Sequence, residues 1–107
     1  MNLHVRVKGL DRKAEVRHDA ERKLAATLNW LAPRVQNAAV LLEDVTGPHK
    51  QLVDKRCRIV VRLRRGGDLT IEERGVHIRA ALALALDRLK AVISRRVGKV
   101  KRGIGAG

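Results

Sequence analysis

Residues 2–8 alternate between apolar and polar side chains. Leu3, Val5 and Val7 share one side, and His4, Arg6 and Lys8 share the other, the pattern of a half-buried strand. Gly9 interrupts it. From about Arg12 to Leu31 the period changes. Val16, Ala20, Leu24, Leu28 and Leu31 recur at three- and four-residue steps, one apolar stripe along a helix of roughly 30 Å. Arg17, Arg22 and Lys23 fall off that stripe. Pro33 biases Ala32 away from helical geometry and ends the element. Trp30, near that end, is expected to pack under the following loop.

Residues 38–44 are apolar and strand-like, and Thr46-Gly47-Pro48 opens a loop that continues to about Asp54. Lys55 to Arg64 gives the cleanest alternation. Cys57, Ile59, Val61 and Leu63 lie on one face, and Arg56, Arg58, Arg62 and Arg64 on the other. That basic face is either a surface for an anionic partner or the solvated side of the sheet. Arg65-Gly66-Gly67-Asp68 signals a hairpin turn, and Leu69 to Glu73 is the returning strand. Beyond Gly75, Ile78, Leu82, Ala85, Leu89 and Val92 form the stripe of a second helix, about Val76 to Val97, which Gly98 is expected to end.

The order is β-α-β-β-β-α. A sheet with one apolar face needs a cover there, and the two helices are the only covers available. The expected fold is α+β, a four-stranded mixed sheet with both helices packed on one face and their basic sides adjacent in solvent. One domain spans residues 1–98, and residues 99–107 form a basic, glycine-rich flexible tail. No internal repeat or linker interrupts the domain.

Charge then changes the picture. The 107 residues carry 24 Lys and Arg against 11 Asp and Glu, a formal charge of +13. Solubility needs far less, so a polyanionic partner is indicated. After Val76 the only acid is Asp87, and Arg95, Arg96, Lys99, Lys101 and Arg102 follow it without another. A basic helix end running into a basic tail can track phosphates. With no Phe, no Tyr and one Trp, the chain lacks the aromatic platform used to read single-stranded bases. Binding through phosphates and shape suits a folded RNA. The helix and tail cations that could serve are Arg22, Lys23, Arg79, Arg88, Lys90, Arg95, Arg96 and Lys99. Arginine forks onto phosphate oxygens where lysine acts as a point charge.

Other chemistries find little support. Cys57, the only cysteine, permits no intrachain disulfide and falls on an inward strand face, as a core thiol does. His4, His18, His49 and His77 have no metal-ligand spacing, although His49 beside Lys50 could touch RNA. Glu72 and Glu73 face opposite sides of a strand, wrong for a catalytic pair. One of them is expected to pair across strands with Arg58 or Arg62. Gly103-Ile104-Gly105-Ala106-Gly107 is no phosphate loop, because no strand precedes it and no helix follows. Residues 1–6 hold no apolar signal core, and the longest apolar run, Ala80 to Leu86, is too short to span a bilayer. The expectations are a cytoplasmic protein, a monomer when off its target, with no catalytic residues, metal, cofactor, membrane or small-molecule substrate.

Several in-register features resemble the ribosome hibernation-promoting factor family, which includes the ribosome-associated inhibitor proteins and the proteins once labelled sigma-factor modulation proteins. They are Gly66-Gly67, Leu69, Glu72-Glu73, Ala80-Ala81, then Ala85, Asp87, Arg88 and Leu89, with Arg22-Lys23-Leu24 in the first helix. The similarity covers about residues 2–96. Arg79 stands where the family often has an aromatic residue, Ala83 where it often has an acid, and the loop from Gly47 to Asp54 is longer than usual. Nothing after Gly98 could form the extra ribosome-pairing domain of the long members. The resemblance implies rRNA binding on the small ribosomal subunit, in the channel of messenger and transfer RNA, and repression of translation under stress or in stationary phase. Carried over by position, the RNA contacts fall on Arg22 and Lys23 and on Arg88, Lys90, Arg95 and Arg96. The alternative is a general binder of structured or double-stranded RNA, since the strand–strand–strand–helix portion resembles such domains.

Overall fold

The computed structural model describes residues 1–46 and 54–101, with side chains through Arg96. Strand β1 (Asn2–Lys8) leads to helix α1 (Lys13–Leu28) and a 3-10 helix (Asn29–Arg34). Strands β2 (Val35–Asp44), β3 (Lys55–Leu63) and β4 (Asp68–Gly75) follow, then helix α2 (Ile78–Lys101). The sheet order is β1-β2-β3-β4. Strands β1 and β2 are parallel; β2 with β3 and β3 with β4 are antiparallel. This is the α+β fold that the pattern predicts.

Alternation explains the sheet. Val40, Leu42, Cys57, Ile59, Val61, Leu69 and Ile71 are buried on the helix-covered side. The other side shows Arg6, Arg58, Arg62 and Glu72 to solvent. From the helices, Ala20, Leu24 and Leu28 meet Ala81, Ala85, Leu89 and Ile93 over the sheet in one continuous core. Full burial of each large aliphatic contributes about 1.5–3 kcal/mol.

Strands β1, β2 and β4 run the same way. Helices α1 and α2 each follow one of them and pack back across the sheet, so they run side by side in one direction. Their N-termini meet at one end, where Asp11, Arg12, Glu15, Val16, Asp19, Leu42, Ile78, Arg79 and Leu82 line a common cleft. At the opposite end the Arg96 guanidinium donates to the Gly66 carbonyl at 2.6 Å, tying α2 to the β3–β4 hairpin.

The element ends depart from expectation. Helix α1 stops at Leu28, and the tighter 3-10 helix takes Asn29–Arg34 with Pro33 inside it. Proline has no N–H for an α-helical bond and disfavours α geometry at Ala32, and the chain tightens before reaching it. Strand β2 starts at Val35, three residues early, and its register shifts between Val35 and Asn37. Strand β4 extends from Asp68 to Gly75. Helix α2 begins at Ile78 and does not end at Gly98 but continues to Lys101; an interior glycine costs about 1 kcal/mol, which a long packed helix tolerates. Trp30 does not pack under a loop. It lies on the 3-10 helix with 56% of its surface exposed.

A polar knot closes the β2–β3 end. Asp44 accepts from Lys55 at 2.8 Å and from the Thr46 amide at 2.8 Å, and it also accepts from the Thr46 hydroxyl. The Asp54 amide donates to the Thr46 hydroxyl at 3.1 Å, and the Val45 amide to the Asp54 carbonyl at 2.9 Å. The Lys55 bond, with Thr46 behind it, holds the Asp44 carboxyl far below its usual range.

Candidate nucleic-acid interface

The expected cations sit on or beside the helix layer, but they do not form one strip. On α1, Arg22 and Lys23 both reach Asp19, at 3.0 and 3.1 Å. The Lys23 hydrogen bond holds the Asp19 carboxyl below its ordinary value; partial burial opposes this, and Arg22 adds to the lowering. On α2, Arg88 lies 3.1 Å from Glu73 of β4, which fixes one flank of the helix above the sheet edge. Arg95, seven residues on, returns to within about 20° of that flank and folds back toward the Ala91 carbonyl at 3.4 Å.

Lys90 points about 200° away from Arg88 and within about 20° of Arg79. Arg79 lines the cleft between the helix N-termini, facing Asp11, Glu15 and Asp19. The α2 cations therefore divide between two flanks. Between them the outward surface of α2 exposes Ala80, Ala83, Leu84, Asp87 and Ala91, a ridge that carries no cation where a basic face was expected. Lys99 falls within α2, and its side chain lies outside the described residues, as does His49.

The opposite face of the sheet is neutralised in part, with no ion pair formed by Arg6, Lys8 or Arg58 among the described residues. Arg56 pairs with Glu43 and lies 3.8 Å from Glu72. Arg62 meets Asp68 at 3.4 Å, and Arg74 meets Asp54 at 2.8 Å. Arg58 stands opposite Glu72 in register, yet the close cation to Glu72 is Arg56. Of the two expected partners for the Glu pair, neither is used: Glu72 takes Arg56, and Glu73 turns inward to α2. Arg64 lies just past the end of β3.

The sequence reading missed a cluster at the end where α2 meets the hairpin. The Arg64 amide donates to the Arg34 carbonyl at 3.0 Å, joining the 3-10 helix to the hairpin. Arg34, Arg64 and Arg65 are exposed, and Arg96 reaches the same turn at Gly66. A signal was present, because Arg64-Arg65 directly precede the Gly66-Gly67 turn and so belong to a loop tip.

Nothing in the described residues resembles a catalytic or metal centre. No group of three His, Cys, Asp or Glu among them could hold a metal ion. Cys57 is fully buried, and burial, with Glu73 adding to it, pushes its thiol up to about 12. No described helix is long and apolar enough to cross a membrane.

The crystal structure of the N-terminal domain of Thermus thermophilus Protein Y is similar, with 28% sequence identity, a TM-score of 0.64, and coverage of 88% of this chain and 93% of that one. A ribosomal subunit interface protein from Coxiella burnetii superposes with a TM-score of 0.75 over 92% of this chain and 100% of the other. At 17% identity that likeness speaks for the fold alone. No curated protein gives a significant match. Residues 3–101, nearly all of the described chain, match the family described as Sigma 54 modulation protein / S30EA ribosomal protein, and the chain belongs to that family.

Proposed function

We propose that this protein is a ribosome-inactivating factor that binds rRNA of the small subunit at the messenger and transfer RNA channel and represses translation under stress. The observation that carries the proposal is the family match over residues 3–101. Membership supports ribosome binding and translation regulation. The surplus of positive charge, +13, supports RNA as the contacted component. In this reading Arg22, Lys23, Arg79, Arg88, Lys90, Arg95, Arg96 and Lys99 approach phosphates from the helix layer. Arg22, Lys23 and Arg88 do so by exchanging a carboxylate for a phosphate oxygen.

The test is translation in a purified system with added protein, comparing wild type with Arg88→Glu/Arg95→Glu. Wild type inhibits, and the variant loses most of that inhibition. Equal inhibition by both removes the helix-layer assignment. Co-sedimentation with small subunits in the presence of excess duplex RNA addresses the site. Full competition by the duplex makes the protein a general RNA binder instead.

A further inference from the structure

Three helix cations differ from the hairpin-end cations in one respect. Arg22, Lys23 and Arg88 are each held by a carboxylate. At the hairpin end no ion pair is formed by Arg34, Arg64, Arg65 or Arg96 among the described residues. The nearest acid in the turn, Asp68, is occupied by Arg62. A phosphate arriving here displaces no carboxylate, whereas at Arg22, Lys23 or Arg88 it must break an existing pair.

The cluster is also held in place. The Arg64 amide is bound to the Arg34 carbonyl at 3.0 Å, and the Leu63 amide to the Gly67 carbonyl at 3.2 Å. Gly66 and Gly67 have φ of 98° and 76°, a left-handed geometry that glycine adopts without strain. The Arg96 stem lies 3.5 Å from where a Gly66 Cβ would stand, and its guanidinium caps the Gly66 carbonyl. Arg96 thus positions the turn, leaving Arg34, Arg64 and Arg65 exposed around it. Trp30 shares the 3-10 helix with Arg34 and is the chain's only aromatic residue, 56% exposed. An exposed indole on the same six-residue helix as an unpaired arginine can hold an unstacked base and its flanking phosphate.

Building on the proposed RNA-binding function, we infer that this end anchors the protein to RNA: Arg34, Arg64 and Arg65 take phosphate oxygens, and Trp30 stacks on an unpaired base. The ligand is thus an RNA strand carrying at least one unstacked nucleotide, and a fully paired duplex lacks half of what the site recognises.

The test measures binding of the full chain to purified small ribosomal subunits across a salt series. Three proteins are compared: wild type, Arg64→Ala/Arg65→Ala, and a charge-matched control on the far sheet face, Arg6→Ala/Lys8→Ala. The hairpin pair weakens binding about tenfold or more and lowers the log–log salt slope by about 1.5. The control loses much less, and thermal melts confirm that all three fold. Equal losses in the two variants overturn the anchor while leaving ribosome binding in place. No binding by wild type overturns the ribosome reading and the anchor together. Trp30, as this chain's sole tryptophan, reports stacking directly when the ligand is protein-free small-subunit rRNA. Its fluorescence is quenched on binding, and unchanged emission from a bound complex removes the base from the proposal.

Discussion

Arg88 of α2 and Glu73 of β4 lie fifteen residues apart in the chain and 3.1 Å apart in space. The pair stands over the sheet edge with the Arg88 side chain still 56% exposed, so it is solvated and adds at most about 1 kcal/mol to stability. Its larger effect is on availability, because an incoming phosphate must displace Glu73 before Arg88 can bind it. Glu73→Gln therefore lowers the melting temperature by a few degrees at most and strengthens RNA binding. Calorimetry and a small-subunit binding titration on the same preparation check both signs. Weaker RNA binding by this variant contradicts the competition.

Asp19 holds two cations, Arg22 and Lys23, within one helical turn. Asp19→Asn releases both and removes one negative charge from the α1 surface. The expected result is a several-fold gain in RNA affinity, with a salt slope steeper by up to about 1.5 if both cations then reach phosphates. Titrations at a series of salt concentrations measure the slope. An unchanged slope means that neither cation faces the RNA.

The helices, the strands and their common face were readable because each has one dominant apolar period, as in Cys57, Ile59, Val61 and Leu63 of β3, all buried. Where the period breaks, the reading fails for the same reason. Val35 and Ala38 are both buried although they lie three positions apart, since the register shift between Val35 and Asn37 inserts a step. Strict alternation cannot see such a bulge, so β2 was expected to begin late. The interface was harder still. Asp19 and Lys23 at four-residue spacing could be paired from sequence alone, but Glu73 with Arg88, or Arg34 beside Arg64, depends on which elements the fold brings together. Charge says that a polyanion binds. Which cations are already occupied is a property of the tertiary structure.

Asp44 should give the protein an acid-sensitive joint. Lys55 and both polar groups of Thr46 stabilise its ionised form and depress its pKa in the folded state. The unfolded chain, with a carboxyl near the ordinary 3.8, then binds protons more readily. Stability from this group is fully present above that value and is lost as pH falls through the ordinary range toward the folded pKa. Wild type is expected to lose more melting temperature between about pH 6 and about pH 2.5 than Asp44→Asn, which cannot titrate. Parallel curves for the two proteins would falsify the role given to this carboxylate.

Cys57 should behave as a core side chain at every accessible pH. It faces the helices between Leu42 and Glu73 in the sheet register and is fully buried. The thiolate is the reactive form, and burial, with Glu73 behind it, pushes the thiol up to about 12. In native protein at about pH 8, iodoacetamide therefore leaves Cys57 unmodified, while in denaturant mass spectrometry shows one added group. The raised pKa has a second consequence. Folding favours the protonated thiol, so this stability is complete below the ordinary value of 9.0 and erodes as pH climbs toward 12. Cys57→Ala removes that alkaline loss at the expense of a small cavity. Cys57→Ser places a hydroxyl in an apolar site and costs about 1–3 kcal/mol if no partner is found. Denaturant unfolding at about pH 7 and about pH 10.5 separates the two effects. Rapid alkylation of the native protein would mean that this strand opens far more often than its place in the core allows.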